Sequence, residues 1–109
     1  MDEAYWTAFL NLTNEGTVQV NVDANASDTA AWTIENAPGH NQFNMSFYGA
    51  ISPSAWELLG TGTEDFKDDL PASGQPGNYT TFDLKVYMPT SSSTNDLQYL
   101  TVTFTATAD

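Results

Sequence analysis

Apolar and polar residues alternate with a period of two along three segments, residues 17–24, 80–89 and 100–106. Because successive side chains of a β-strand point to opposite faces, such a segment buries one face and exposes the other. The polar face carries mainly Thr, Asn and Asp. The pattern therefore predicts antiparallel sheets that stack against each other.

Clusters of turn-forming residues separate the alternating segments. Gly accepts a positive φ, and Asn, Asp and Pro favour turns, so the clusters at 14–16, 25–28 and 36–41 are expected to end strands. The first of them predicts a hairpin between the first two strands. Six strands are predicted in all, over residues 5–13, 17–24, 30–35, 42–49, 79–88 and 97–107.

The middle of the chain has a different pattern. Residues 53–59 are predicted to form a short helix, because Pro53 suits an early helical position and Ser54 and Glu57 have the spacing of a capping box. Residues 61–78 are predicted to form a loop. The resulting fold is one all-β domain over residues 1–109, an immunoglobulin-like or jelly-roll β-sandwich of six to eight strands with that helix. Periodicity leaves the order of the strands open.

The charge of the chain excludes several classes of partner. Fourteen acidic residues against two lysines give a net charge of −12. Nucleic-acid binding needs a basic patch, and an anionic membrane would repel this surface. Salt should favour self-association, because it screens the repulsion between copies.

The chain contains no cysteine, which excludes disulfides and thiolate chemistry. No stretch reads as a signal peptide or a membrane span. Met1 directly before Asp2 and Glu3 suggests a start from which a native leader or anchor has been removed.

Four Asn-X-Ser/Thr sequons suggest export and glycosylation, since a used sequon must be exposed in an exported protein. A chain this rich in Asn, Ser and Thr also produces sequons by chance. Their asparagines are predicted to lie outward or in loops, and they are Asn11, Asn25, Asn44 and Asn78.

The predicted loop contains four carboxylates that could bind Ca²⁺, which prefers several oxygen ligands. They are Glu64, Asp65, Asp68 and Asp69. Their spacing is not that of an EF-hand, and Lys67 lies among them, so a solvated acidic loop is the competing interpretation. His40, the only histidine, lies in a Pro-Gly turn and is interpreted as a surface residue. No nucleophile-elbow or phosphate-binding motif occurs, so the chain is predicted not to be an enzyme.

The last predicted strand presents a row of uncharged threonines on its outer face, Thr101, Thr103, Thr105 and Thr107. At a sheet edge this row would have no charge or proline to prevent pairing with another chain, and the same holds for residues 6–12. Both strands being internal to the sheets is the alternative. Tyr99 is predicted to lie on an outer face, as are Tyr5, Tyr48 and Tyr87. With Trp56, these tyrosines would suit a carbohydrate-binding module.

Residues 10–20 resemble the strand, Asn-x-Gly turn and strand of prokaryotic extracellular β-sandwiches. Residues 82–89 and 100–107 resemble the closing hairpin of such modules. The chain is similar in these respects to TasA/camelysin-like fibre subunits, their archaeal relatives, and soluble domains of archaellum- or pilus-associated proteins. The resemblance implies a scaffold rather than an enzyme.

These observations lead to one expected function and one alternative. The chain is expected to be a non-catalytic structural or adhesion domain at the surface of a prokaryotic cell, an archaeon in particular. There it would serve as a filament subunit or associated protein. Its partners would be proteins, including copies of itself joined through strand edges, and it would need no cofactor beyond the possible calcium. The alternative is a carbohydrate-binding module.

Overall fold

A computed structural model describes residues 4–51 and 55–109, of which residues 4–9 are described by their backbone alone. The described residues form eight strands and no helix, and these strands make two sheets of a β-sandwich. The strands are β1 (Ala4–Thr13), β2 (Val20–Ala26), β3 (Thr33–Ile34), β4 (Gln42–Tyr48), β5 (Trp56–Leu59), β6 (Glu64–Leu70), β7 (Tyr79–Tyr87) and β8 (Val102–Ala108). The predicted all-β sandwich is confirmed.

The five-stranded sheet has the order β1-β7-β4-β3, with β5 also paired to β4. β3 runs parallel to β4, whereas the other pairs in this sheet are antiparallel. The three-stranded sheet has the order β6-β2-β8 and is antiparallel throughout. Among the described residues, β1 lies at one edge of the first sheet, and β6 and β8 are the two edges of the second.

Aromatic rings fill the space between the sheets, with Phe66 at their centre. Its ring centroid lies 4.9 Å from that of Phe47, 4.9 Å from that of Phe82 and 4.8 Å from that of Phe104. Phe66 therefore joins four strands, since these rings come from β4, β6, β7 and β8. Aromatic pairs at such distances contribute more than the area they bury.

The predicted helix is wrong where the structure describes it. Trp56 and Leu59 belong to β5, which pairs antiparallel with β4 from Met45–Leu59 to Tyr48–Trp56. Pro53 and Ser54 lie outside the described residues. Local capping signals contribute little stability to a helix of two turns. Pairing with β4, by contrast, satisfies the backbone hydrogen-bonding groups of β5 and buries Leu59.

The predicted hairpin between the first two strands is also wrong. β1 pairs with β7, whereas β2 pairs with β6 and β8, so the chain crosses from one sheet to the other between Thr13 and Val20. Asn14 organises this crossing. Its side-chain amide donates to the carbonyls of Val18 (2.8 Å) and Leu70 (3.2 Å), and its side-chain oxygen accepts the N–H of Gly16 (2.9 Å).

The closing hairpin implied by the resemblance does not form, because β7 and β8 lie in different sheets.

The acidic segment predicted as a loop is mostly the strand β6. Phe66 and Leu70 point into the core, each 1% exposed, while Asp68 and Asp69 remain exposed. Irregular register with β2 and a φ of +54° at Asp69 accompany this arrangement. The predicted third strand is reduced to the two residues of β3.

Candidate interaction surface

The outer edge of β8 is a candidate surface for pairing with another chain. Within the described residues β8 pairs only with β2, in continuous register from Val20–Ala108 to Ala26–Val102. The strand contains no charged residue and no proline. Natural edges normally use such residues to prevent intermolecular pairing, so this edge is open to strand addition.

The predicted row of threonines lies on this edge strand and just before it. All four are exposed: Thr101, Thr103, Thr105 and Thr107. Two large apolar side chains precede the row, Leu97 at 82% exposed and Tyr99 at 78%. Within the part of the chain that the structure describes, β8 and β1 are both edge strands, so the alternative that they are internal to the sheets is wrong.

The inner side of β8 is incompletely covered. Phe104 points towards the core rings but is 37% exposed, and Ala106 and Ala108 are exposed. On the neighbouring β2, by contrast, Val22 and Ala24 are 3% and 1% exposed. The five-stranded sheet therefore covers β2 but leaves part of β8 uncovered.

An apolar groove lies where the two sheets separate, between the end of β1 and the inner side of β8. Its volume is about 200 Å³. We call it the β1–β8 groove, and its lining residues are Leu12, Thr13, Asn14, Glu15, Val20, Val22, Leu70, Phe104 and Ala106. Sequence reasoning missed this groove. The alternation marks Leu12, Val20 and Val22 as inward, but only the order of the strands reveals that they face a gap.

Three carboxylates belong to segments that border the groove, but of these three only Glu15 is a lining residue. Asp69 directly precedes the lining residue Leu70, and Asp109 is held beside Val20 by Gln19. The Gln19 side-chain amide donates to Asp109 Oδ2 (2.7 Å), and the Asp109 N–H donates to the Gln19 carbonyl (2.9 Å).

Asp69 and Asp109 influence each other's ionisation. A hydrogen bond and the charge of Asp109 raise the pKa of Asp69, whereas hydrogen bonds from Gln19 and Asp69 lower the pKa of Asp109. Two adjacent carboxyl groups that share a hydrogen bond hold a proton more readily than either alone. Asp69 is therefore the carboxyl group of the pair that takes up a proton first as the pH falls.

The outer face of the five-stranded sheet carries three of the aromatic residues considered for carbohydrate binding, Tyr48, Trp56 and Tyr87. The rings of Tyr48 and Trp56 are 5.3 Å apart and tilted by 44°. Lys85 Nζ lies 4.1 Å from the centroid of Trp56 and 5.3 Å from that of Tyr87. A sugar stacks on an open aromatic face, and the ammonium group of Lys85 covers the Trp56 face that it approaches.

Lys85→Met is expected to lower the free energy of unfolding by about 0.5–1 kcal/mol, because it removes the cation–π attraction but keeps a long apolar stem over Trp56. Urea denaturation followed by tryptophan fluorescence measures the change. Lys85→Arg retains the charge and should stay close to wild type. Equal losses in the two variants would show that the ammonium over Trp56 contributes nothing specific.

The four sequon asparagines differ in accessibility. Asn11 is exposed on β1, and Asn25 and Asn78 are partly buried. The expectation that all four lie outward is wrong for Asn44, which is 6% exposed. Its amide donates to the carbonyl of Glu35 (3.0 Å), which fixes it beside β3. Asn11 is therefore the most accessible acceptor of the four.

The calcium interpretation finds no geometric support in the part of the chain described. No three carboxylate or imidazole side chains there come together as a metal site. Glu64, Asp65, Asp68 and Asp69 are exposed along β6 rather than gathered by a loop. Asp65 pairs in register with Asp23 of β2, and two like charges at directly opposite positions repel each other.

His40 and Ser91 form an exposed pair, with His40 Nδ1 2.7 Å from Ser91 Oγ. The exposure of His40 that the turn predicts is confirmed. Among the described residues, no carboxylate hydrogen-bonds to the imidazole, and the residues lining the groove do not include this pair. A Ser-His-Asp centre needs that third group to orient the histidine. The pair instead joins the 38–42 turn to residues 90–93, beside the hydrogen bond from Asn41 to Ser93 (2.9 Å).

No family model, curated protein or solved structure matches the chain. The described residues include no helix that is long and apolar enough to cross a lipid bilayer. The interpretation of function therefore rests on the surfaces described above.

Proposed function

We propose that the chain is a non-catalytic structural or adhesion domain of a prokaryotic cell surface, an archaeal one in particular. It acts through protein–protein contacts, as a subunit of a surface filament of the archaellum or pilus kind or as a protein associated with one. The single observation that carries the proposal is the edge of β8, which is uncharged and has no strand partner among the described residues.

Three features of β8 support pairing with another chain. Its backbone groups on one side have no strand partner among the described residues, and its outward residues Thr103, Thr105 and Thr107 have high β-propensity. Leu97 and Tyr99 add exposed apolar surface directly before it. An edge of this kind gives affinity through main-chain hydrogen bonds and specificity through alternate side chains.

Export is part of the same proposal. The sequons, with Asn11 exposed on the folded surface, suit a glycosylated exported protein. The absence of cysteine is compatible with this setting, because a chain of this length can form a core without disulfides.

Light scattering coupled to size exclusion tests the role of the β8 edge. The wild-type domain is expected to self-associate more strongly as salt is raised, because its net charge of −12 is then screened. Thr105→Lys places a charge in the middle of the edge and should abolish the association. If net charge alone controlled association, Thr105→Lys would associate more strongly than wild type, because an added lysine reduces the repulsion between copies.

Thr61→Lys is the matched control, because Thr61 is exposed in the connection between β5 and β6 and the charge change is the same. It should associate at least as well as wild type. A wild-type domain that stays monomeric at every salt concentration would contradict homotypic pairing through β8. A glycan array on that monomer would then test the carbohydrate-binding alternative.

A further inference from the structure

We propose that the β1–β8 groove receives an extended, positively charged segment of a different protein, with one large apolar side chain of that segment in the groove. The inference names a partner for this surface. It rests on the proposed function in one respect, because both take the edge strands as sites of protein–protein contact.

The extended conformation follows from the strands that border the groove. β1 and β8 are both edge strands, so each presents unpaired backbone groups among the described residues. A helix cannot satisfy those groups, whereas a strand can, at a rise of about 3.3 Å per residue. A segment of roughly seven to nine residues would run the length of β8, which has seven.

The apolar side chain follows from the size and chemistry of the groove. Leu12, Val22 and Phe104 give its walls an aliphatic and aromatic character. Its volume of about 200 Å³ exceeds the roughly 150 Å³ that accommodates benzene in an engineered protein cavity. A phenylalanine or leucine side chain therefore fits, and it would cover the exposed part of Phe104.

The positive charge follows from Glu15 in the groove and from the net negative charge of the chain. Glu15 is the one charged residue among those that line the groove, and the lining includes no lysine. A second copy would bring another net charge of −12 to this groove. Electrostatic complementarity therefore selects a basic segment, which this chain, with two lysines in all, does not itself contain.

The two kinds of partner differ in the sign of their salt dependence. Binding of a basic segment weakens as salt screens the attraction, whereas association of two acidic copies strengthens as salt screens the repulsion. This difference makes the inference testable without knowing the natural partner.

The probe is a fluorescently labelled nine-residue peptide with lysine at each end, phenylalanine in the centre, and alternating valine and threonine between them. Fluorescence anisotropy should show saturable binding that weakens about tenfold between roughly 50 and 500 mM salt. Two control peptides carry glutamate for the lysines or serine for the phenylalanine, and each should bind at least about tenfold more weakly than the probe.

Two protein variants place the binding at the groove. Ala106→Leu fills the groove from an exposed position on β8, and Glu15→Lys reverses the one charge among the lining residues. Both should lose most of the affinity. Glu35→Lys makes the same charge change at an exposed residue directly after β3 and should bind the probe nearly as wild type does. Amide shifts in a ¹⁵N correlation spectrum should map to β1 and β8.

The outcomes separate this inference from the proposed function. Absence of peptide binding, or equal binding of the lysine and glutamate peptides, would overturn the basic-segment inference. If Thr105→Lys still abolished association in that case, the proposed function would remain. Peptide binding by a strictly monomeric domain would support the inference and remove the homotypic part of the proposed function. Groove occupation by a second copy, seen as self-association that Ala106→Leu abolishes, would also overturn it.

Discussion

Phe66→Ala is expected to lower the free energy of unfolding by about 3–5 kcal/mol. The Phe66 ring is 1% exposed and meets three other phenylalanines, those of Phe47, Phe82 and Phe104. Removing it leaves a cavity between the sheets that these rings cannot close, because each is fixed on a different strand. A loss of this size is a large fraction of the roughly 5–15 kcal/mol that stabilises a typical domain.

Chemical denaturation followed by circular dichroism measures this loss. Phe66→Leu keeps most of the apolar volume and should lose less than half as much as Phe66→Ala. Val18→Ala is the control, because Val18 is 51% exposed and its truncation should change stability by no more than about 0.5 kcal/mol. Losses of similar size for Phe66→Ala and Val18→Ala would show that Phe66 is not the centre of the core.

Alternation predicted most strands because burial on one face is what stabilises them. Residues 17–24, 42–49 and 79–88 overlap β2, β4 and β7, and the inward residues Phe43, Phe47 and Phe82 are buried as expected. The alternation does not predict β6, because acidic residues make up most of this strand. Only Phe66 and Leu70 mark its inner face, and the irregular register hides their alternation.

The wrong predictions concern strand pairings, which local sequence patterns do not determine. Capping signals at residues 53–59 describe a helix in isolation, whereas the backbone of β5 is paired along β4. The turn at 14–16 suits a hairpin, but β1 is paired with β7 and β2 with β6 and β8. Pairings between segments so distant in sequence are decided by the packing of the whole sandwich.

Part of the candidate surface could be predicted from local sequence, and part of it depends on strand pairing. The uncharged threonine row of β8 could be read from the sequence, and its consequence at an edge could be stated in advance. Its position at an edge, and the groove beside it, depend on strand order. Glu15, Asp69 and Asp109 come from distant parts of the sequence, so the contact of Asp69 with Asp109 and the place of Glu15 in the groove had no signal in the sequence pattern.

Ala24→Leu is expected to destabilise the fold by about 1–3 kcal/mol, although it adds apolar volume to the core. Phe66 and Phe104 lie on β6 and β8, which flank β2 and are therefore separated by two strand spacings, roughly 9.6 Å. Their ring centroids are nevertheless 4.8 Å apart. The rings must lean towards each other across the inner face of β2, where Ala24 is 1% exposed and pairs with Phe104.

A leucine at this position would occupy the space in which the two rings meet, and it would force Phe104 further out of the core. The change should lower the denaturation midpoint and increase the exposure of Phe104, which is already 37% exposed. Ala108→Leu is the matched control, because Ala108 is exposed on β8 and should tolerate the same substitution within about 0.5 kcal/mol. If the Ala24→Leu variant were as stable as wild type, the contact between the Phe66 and Phe104 rings would not depend on a small residue between them.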